Sequence, residues 1–278
     1  MKIVVLGSSG MLGRILSLHL ISKKKFKTKL FSRNKSRIKK VDKKINYLKY
    51  YTKKNIKKII KNNRPCIVVN CIGVTNQNLN FSSYKNLNSK LPHMIKEQIE
   101  KENDQSKLIQ ISTDGVFKSR AKCYSEISIP NAIDNYGKSK KLGEVKSSPH
   151  LTIRTSIIGR SKNKNNLMNW ILSSVRVKGY SNFIWNGVTS LECSKFIYFC
   201  ILKNLTGVCH LSSTKISKFK LLNIIKDIYD LKKLTITQDN TKFFKRCLAK
   251  LRRDYVYKVP TYRRMIKDLF VFEKKFLK

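Results

Sequence analysis

The most constraining stretch of the chain is its beginning, where the apolar run Ile3-Val4-Val5-Leu6 passes directly into Gly7-Ser8-Ser9-Gly10-Met11-Leu12-Gly13 and a helical pattern over Met11–Leu20. Glycines recur at every third position. That spacing lets the main chain turn tightly after a strand, admits a pyrophosphate close to the backbone, and lets the helix pack on the strand it has just left. Three glycines alone describe a turn. Strand, loop and helix in immediate succession describe an anion cradle suited to a dinucleotide, lined by Gly7, Ser9, Gly10, Met11, Leu12 and Gly13.

Further short apolar runs follow at Lys29–Phe31, Ile67–Asn70, Leu108–Ile111 and Leu151–Ile153. Between them Asn55–Asn62, Lys90–Glu102 and Tyr136–Val145 place apolar residues on one helical face. This alternation predicts an α/β protein, a Rossmann-like doubly wound parallel sheet covered by helices on both faces. Past Arg160 the rhythm changes to an asparagine-rich loop, a helix over 167–177, mixed elements, a strand near 207–212 that should return to the sheet, and a helix over 219–229. The expected division is 1–158 as the dinucleotide-binding domain and 159–278 as a smaller C-terminal α/β region. No repeat or low-complexity linker separates the two, so they should pack together.

With 41% hydrophobic and 10% aromatic residues among 278, the chain has ample material for a core, which excludes disorder as its state. Its charge is the outlier: 60 Lys+Arg against 16 Asp+Glu, a formal +44. Most of it is lysine, spread along helices such as Lys53–Lys61 as a solvated face, and lysine and asparagine abound throughout, as an AT-rich coding bias would produce. Base readout favours arginine, and no helix-turn-helix, zinc-finger or RNP spacing accompanies the charge, so no specific nucleic-acid partner is predicted. Attraction of polyanions or steering of anionic small substrates is the functional alternative. Seven irregularly spaced cysteines do not describe a secreted disulfide framework and fit a reducing compartment. The chain opens Met-Lys and enters a strand at once, without a signal-peptide pattern or an apolar run long enough to span a bilayer. A cytoplasmic protein without membrane insertion is expected.

Where the second strand ends, Ser32-Arg33 stands in the place at which an NAD-preferring site commonly presents an acid; an arginine suits a 2′-phosphate, so NADPH is expected, with NADH the alternative. Downstream, Tyr136 and Lys140 stand four apart at the start of a helical pattern and share a face. A phenol with a pKa near 10 is a poor acid or base at neutral pH, and a neighbouring ammonium lowers that value. Ile111-Ser112-Thr113-Asp114 closes a strand, where open α/β sheets carry their functional groups, so Thr113 is placed to bond a carbonyl oxygen that Tyr136 protonates.

Together, Gly7–Gly13, Val69-Asn70-Cys71-Ile72-Gly73, Asn88-Ser89-Lys90-Leu91-Pro92, Ile111–Phe117, Tyr136–Glu144 and Ile153–Gly159 resemble the extended short-chain dehydrogenase/reductase superfamily. Within it they are most similar to the dTDP-4-dehydrorhamnose reductase-like, sugar-nucleotide-binding branch. Trp185-Asn186-Gly187-Val188-Thr189 and Val259-Pro260-Thr261-Tyr262 extend the likeness over nearly the whole chain. The resemblance implies NADPH-dependent reduction of the C4 keto group of a nucleotide-linked 4-keto-6-deoxy sugar, in nucleotide-sugar and polysaccharide biosynthesis. It implies that Tyr136 protonates the developing alkoxide, Lys140 holds the nicotinamide ribose, Thr113 orients the carbonyl, and Asn88 supports a proton relay. Cys71, Ile72 and Gly73 would line the cofactor, while Asp114 joins Thr113 on the substrate side. A homodimer is compatible with it.

Sugar-nucleotide 4,6-dehydratases carry Asp-Glu after Ser-Thr, whereas here Asp114 is followed by Gly115, which favours a reductase. Two family features lack counterparts: Tyr47-Leu48-Lys49-Tyr50-Tyr51 offers no acid for the adenine amine, and no acidic set suggests a metal, so none is expected. Trp170 and Trp185 are candidates to contact substrate, and Arg154 to reach its phosphate, with core packing and an ion pair as the structural alternatives. His19, His93, His150 and His210 share no spacing and, like Cys66 and Cys71, read as structural. Two other functions remain open: a catalytically silent nucleotide-binding regulatory subunit of the same fold, and a basic polyanion-binding protein.

Overall fold

A computed structural model of the protein describes residues 1–33, 45–47, 50–75, 80–119, 122–161 and 166–276. The first part runs β1 (Lys2–Leu6), α1 (Met11–Lys23), β2 (Lys27–Ser32), β3 (Ile45–Tyr47), α2 (Lys53–Asn63) and β4 (Cys66–Asn70). A short helix α3 (Phe81–Tyr84) then continues through a π-helical stretch (Lys85–Lys90) into α4 (Leu91–Glu100), followed by β5 (Lys107–Ile111), α5 (Asn135–Leu142) and β6 (Leu151–Thr155). The remainder comprises β7 (Ile157–Ile158), α6 (Leu167–Ser173), β8 (Arg176–Tyr180), β9 (Phe183–Trp185), β10 (Val188–Thr189) and α7 (Ser190–Leu202). After it come β11 (Gly207–Leu211), β12 (Ile216–Ser217), α8 (Lys218–Ile228), β13 (Thr235–Asp239), β14 (Phe244–Lys245) and α9 (Tyr262–Phe276).

Seven parallel strands form the main sheet in the order β11-β6-β5-β4-β1-β2-β3. This is the doubly wound arrangement, with its reversal of winding between β1 and β4. The strands are apolar on both sides because both faces are covered. Ile3, Val5, Ile67, Val69, Ile109 and Ile153 point into one hydrophobic cluster, which also takes residues of α1, α7 and α9. Val4, Leu6, Val68 and Leu108 point into the other, with Ile56, Ile59 and Ile60 of α2 and Ile95 and Ile99 of α4. The period of two along each strand divides the same residues between two cores.

The later strand returns as its sequence suggested: Gly207 to Leu211 pair with Leu151 to Thr155 of β6. The helix expected over 167–177 is shorter. It ends at Ser173, and Arg176–Tyr180 is instead a strand paired in parallel with Thr235–Asp239. Arg176, Val177, Lys178 and Gly179 alternate exposed and buried, a period of two that a helical reading of Leu167–Val177 absorbed. Part of the asparagine-rich loop after Arg160 lies outside the described residues. No helix of the described residues is long and apolar enough to cross a membrane.

One strap ties the C-terminal region to the sheet beside the strand ends. The Tyr124 amide donates to the Cys247 carbonyl (2.9 Å) and the Ala249 amide to the Tyr124 carbonyl (2.7 Å). The Ser119 hydroxyl donates to the Lys245 carbonyl (2.9 Å), and the Lys245 amide donates to Ser119 Oγ (3.0 Å). This pairing brings the Cα atoms of Cys123 and Cys247 to 4.7 Å, and the two form a disulfide. The cysteines, expected from their spacing to lie in a reducing compartment, therefore include a bonded pair. Their 124-residue separation gives no local signal of it. Beneath the strap, Val116, Phe117, Tyr124 and Leu248 make a small apolar cluster with the Phe117 and Tyr124 rings stacked at 4.1 Å.

Candidate active site

At the switch of winding, Gly7 takes φ 77°, a left-handed conformation that glycine adopts without strain. Helix α1 then begins with no side-chain cap at Gly10 and no acid in its first turn, leaving its terminal N–H groups and positive end for an anion. A Cβ on Gly13 would stand 2.1 Å from the Gly7 carbonyl oxygen, so only glycine lets helix and loop meet. Ser9 and Ser32 are joined through their hydroxyls. Arg33 lies exposed with its guanidinium 6.0 Å from the Tyr51 ring centroid, and the Tyr51 hydroxyl is hydrogen-bonded to the Gly7 backbone. Arg33, Tyr50 and Tyr51 line a cavity of about 390 Å³ with Asn86, Leu87 and Lys90. Tyr51 thus joins the wall of this cavity to the glycine loop; Leu48 and Lys49 of the Tyr47–Tyr51 segment lie outside the described residues.

The residues after β4 lie beside the end of β1. The Cys71 amide donates to the Leu6 carbonyl (3.0 Å), and Ile72 donates to Asn70 Oδ1 (3.1 Å). A Cβ on Gly73 would meet Asn88 Oδ1 at 3.6 Å and Lys140 Nζ at 3.8 Å, so Gly73, Asn88 and Lys140 converge on one point. Asn88, on the π-helical stretch, is fully buried. It accepts from the Val74 amide (2.9 Å) and donates to the Val74 carbonyl and Ser139 Oγ (both 3.0 Å). Its side chain fastens the loop after β4 to α5.

Asp134 caps α5, its carboxylate accepting from the Gly137 amide at 2.8 Å. A Cβ on Gly137 would lie 2.2 Å from the Gly115 carbonyl oxygen; its absence lets the helix press on the turn after β5. Tyr136 is half-buried and hydrogen-bonded to Thr113, while Lys140 is buried and donates to the Ile111 carbonyl at 2.7 Å. The expectation that the ammonium draws the phenol down is not met in this arrangement. Burial pushes Tyr136 up to about 12, opposed by Thr113. Burial likewise pushes Lys140 down to about 8, against the pull of Glu144 and Cys71. Both groups lose solvation more than they gain from charge.

Thr113 Oγ1 accepts from the Gly115 amide (3.0 Å) and donates to Asp114 Oδ1 (3.2 Å). Burial raises the Asp114 pKa, with Arg246, Thr113 and Ser156 among the groups opposing it. Ser156 also accepts from Trp185 Nε1 at 2.7 Å, which links Trp185 through Ser156 to Asp114. Trp170 is 37% exposed on α6, with Lys218 Nζ 5.1 Å from its ring, and is removed from this chain of contacts. Ser156 and Arg246 were not anticipated. Ser156 lies within the Ile153–Gly159 segment without having been given a role, and Arg246 belongs to a distant segment.

Arg154 requires a correction: it is 1% exposed and forms a bidentate pair with Glu144, Nε to Oε1 at 2.7 Å and Nη2 to Oε2 at 2.8 Å. Its guanidinium also lies 5.1 Å over Phe117 and donates to the Glu126 carbonyl. Glu144 accepts in addition from Ser112 Oγ at 2.8 Å. Arg154 faces inward in a buried ion pair, the structural alternative for it, and through Glu144 and Ser112 underpins the strand end that carries Thr113.

A parallel sheet with its switch of winding between β1 and β4, an uncapped helix after β1 and a Tyr-Lys pair beside the end of β5 make this a Rossmann-like α/β protein. The model of the RmlD substrate binding domain matches residues 1–180, and the chain belongs to that family. No curated protein sequence matches it. Among solved structures, dTDP-4-dehydrorhamnose reductase of Bacillus anthracis in complex with NADP is similar at TM-score 0.80 and 18% identity, over 97% of this chain and 98% of that one. The corresponding reductase of Clostridium acetobutylicum gives 0.76 and 17%, over 99% and 100%. dTDP-glucose 4,6-dehydratase of B. anthracis with NAD gives 0.78 and 15%, over 99% and 97%. At these identities the likeness establishes the fold.

Because Glu144 has no exposed side-chain surface, removing its partner strands a buried charge. Arg154→Met is expected to lower unfolding stability by about 3–5 kcal/mol. Urea denaturation would show this as a large fall in midpoint; a shift under about 1 kcal/mol would contradict the structural role.

Proposed function

We propose that the protein is an NADPH-dependent reductase of the C4 keto group of a nucleotide-linked 4-keto-6-deoxy sugar, serving nucleotide-sugar and polysaccharide synthesis. What supports this reading is the placing of Tyr136 against Thr113 at the end of β5, in a sheet whose first strand runs into the uncapped N-terminus of α1. The residues suit the cofactor. Gly7 to Gly13 and the free N–H groups of α1 would hold its pyrophosphate, Ser32 and Arg33 its 2′-phosphate, and Cys71 to Gly73, Tyr136 and Lys140 its ribose and nicotinamide end. When bound, the nicotinamide supplies the hydride. The first 158 residues would thus carry the cofactor and the rest, β11 apart, the sugar.

The proton is the task of this chain's own groups. A tyrosine pushed up to about 12 keeps its proton at neutral pH and is suited to give it to an oxygen that becomes an alkoxide. Thr113 bonds the same oxygen and orients it, and because charge builds there only in the transition state, both groups accelerate the step rather than merely bind. Lys140 needs its proton to act as a donor to the ribose. Asn88, joined to Ser139 and to the loop at Val74, keeps α5 and the loop after β4 in register around that lysine.

Three expected outcomes test this. Purified protein should oxidise NADPH with one of a panel of dTDP-, UDP- and GDP-linked 4-keto-6-deoxy sugars, and Tyr136→Phe should lower turnover by orders of magnitude while binding NADPH normally. NADPH binding with no oxidation across the panel would favour a silent regulatory subunit. Arg33→Ala should weaken NADPH far more than NADH by fluorescence titration; equal weakening would remove the arginine from the 2′-phosphate. Finally, kcat/KM should be level in mildly acidic to neutral buffer and fall as pH rises through about 8, where Lys140 loses its charge. A profile still flat at pH 9.5 or so would show that the ammonium is not required.

A further inference from the structure

The chain leaves the end of β5 and returns to α5 through one junction. Past Thr113, Asp114 and Gly115, the Val116 carbonyl accepts from the amides of both Asn131 (3.0 Å) and Ala132 (2.9 Å), and the Lys118 amide donates to Asn131 Oδ1 (3.0 Å). The described residues between them, 117–119 and 122–130, belong to a loop closed at its base. That base abuts the site: Ala132 Cβ stands 2.5 Å from where a Cβ on Gly137 would lie, so the returning chain presses on the first turn of the helix that carries Tyr136. Farther out the loop is fastened to the C-terminal strap by the backbone pairing of Tyr124, by the Ser119–Lys245 exchange and by Glu126, whose carboxylate accepts from the amides of His210 (3.2 Å) and Leu251 (2.8 Å). A covalent bond joins the same two pieces, Cys123 to Cys247.

The other five cysteines are free thiols, and all but Cys71 are buried. Within the bonded pair the two sulfurs are unequal, because Cys247 is fully buried whereas Cys123 is half-buried. A thiolate arriving from solvent meets Cys123 first and displaces Cys247. Lys122 precedes Cys123, and Lys245 and Arg246 precede Cys247; cations beside sulfur favour both the attacking and the departing thiolate. With the bond open, the strap is held to the loop by hydrogen bonds, those of Ser119 and Leu251 exposed, and such contacts open locally at far lower free energy than a packed core.

We propose that Cys123 and Cys247 form a thiol–disulfide exchange site whose partner is a dithiol reductant, and that its state sets how firmly the loop after β5 closes beside Thr113 and Tyr136. One thiolate of the dithiol attacks Cys123 Sγ, the bond to Cys247 breaks, and Cys247 leaves as a thiolate that takes up a proton. The second thiol of the reductant then resolves the mixed disulfide and frees Cys123. Two electrons and two protons pass to the protein, and the dithiol ends as a disulfide; glutathione disulfide reverses the change and ends as two glutathione thiols.

The test exposes the full native chain to dithiothreitol or to glutathione disulfide, then reads alkylation by mass spectrometry and amide hydrogen exchange. After denaturation the oxidised protein should alkylate at five cysteines and the reduced protein at all seven. Exchange across 116–119 and 122–132 should rise several-fold on reduction and fall again on reoxidation, with far-ultraviolet circular dichroism unchanged. Cys123→Ser/Cys247→Ser should exchange like the reduced wild type and respond to neither reagent. The consequence for turnover rests on the reductase reading above: NADPH oxidation with the sugar substrate should drop several-fold on reduction and recover with glutathione disulfide. The proposal fails if the native protein resists dithiothreitol, if glutathione disulfide does not form the bond, or if both cysteines open and amide exchange stays the same. Amide exchange that responds while turnover does not would remove the link to catalysis. If amide exchange responds and no sugar is reduced in either state, the reductase reading fails and the exchange site stands.

Discussion

The site depends on main-chain approaches closer than side chains allow. A methyl on Gly13 would overlap the Gly7 carbonyl and one on Gly137 would overlap that of Gly115, at 2.1 and 2.2 Å. The first contact seats the open N-terminus of α1 on the loop after β1; the second seats Tyr136 and Lys140 against the end of β5. Both occur at the carboxyl ends of central strands whose two faces are fully covered, so the ends are the remaining exposed edge at which polar groups gather. Hydrophobic burial makes the sheet rigid, and the two glycines bring the chemistry up to it.

That closeness has an electrostatic consequence. Lys140 and Tyr136 are desolvated by the same packing that positions them, and each is driven toward its neutral form: the amine toward losing its proton, the phenol toward keeping it. The lysine retains a strong donor contact to the Ile111 carbonyl at 2.7 Å, which ties it to the strand rather than to the tyrosine. A neutral phenol beside Thr113 is an acid waiting for a basic oxygen. Reduction of a carbonyl creates such an oxygen, so the electrostatics of Tyr136 suit proton donation better than proton abstraction.

What the sequence made legible was what local spacing encodes. Central strands read as short apolar runs because both faces are buried, the tight turn into α1 because its glycines lie within seven residues of one another, and the shared helix of Tyr136 and Lys140 because they are one helical turn apart. The outward boundaries slipped where two periods compete, as at Arg176–Tyr180, whose alternation follows a helix without a break. Long-range chemistry was not legible. Arg154 reads as a free cation at a strand end until Glu144 is folded against it, and nothing local in Cys123 or Arg246 points across more than a hundred residues to the other side of the strap.

Gly115 joins the sequence argument to the geometry. Its place after Asp114 weighed toward reduction when read from the sequence. In the structure a Cβ on Gly115 would meet Tyr136 Cε1 at 3.2 Å and both Thr113 Cγ2 and Thr113 Oγ1 at 3.3 Å, tighter than ordinary van der Waals contact. A side chain there would press directly on the two groups assigned to the carbonyl, each of which must yield a few tenths of an ångström. Near-attack geometry is sensitive on that scale. The glycine is therefore more than a missing acid: it lets the Tyr136 ring lie against the strand end. A side chain at this position, acidic or not, therefore acts first on the placing of Tyr136 and Thr113.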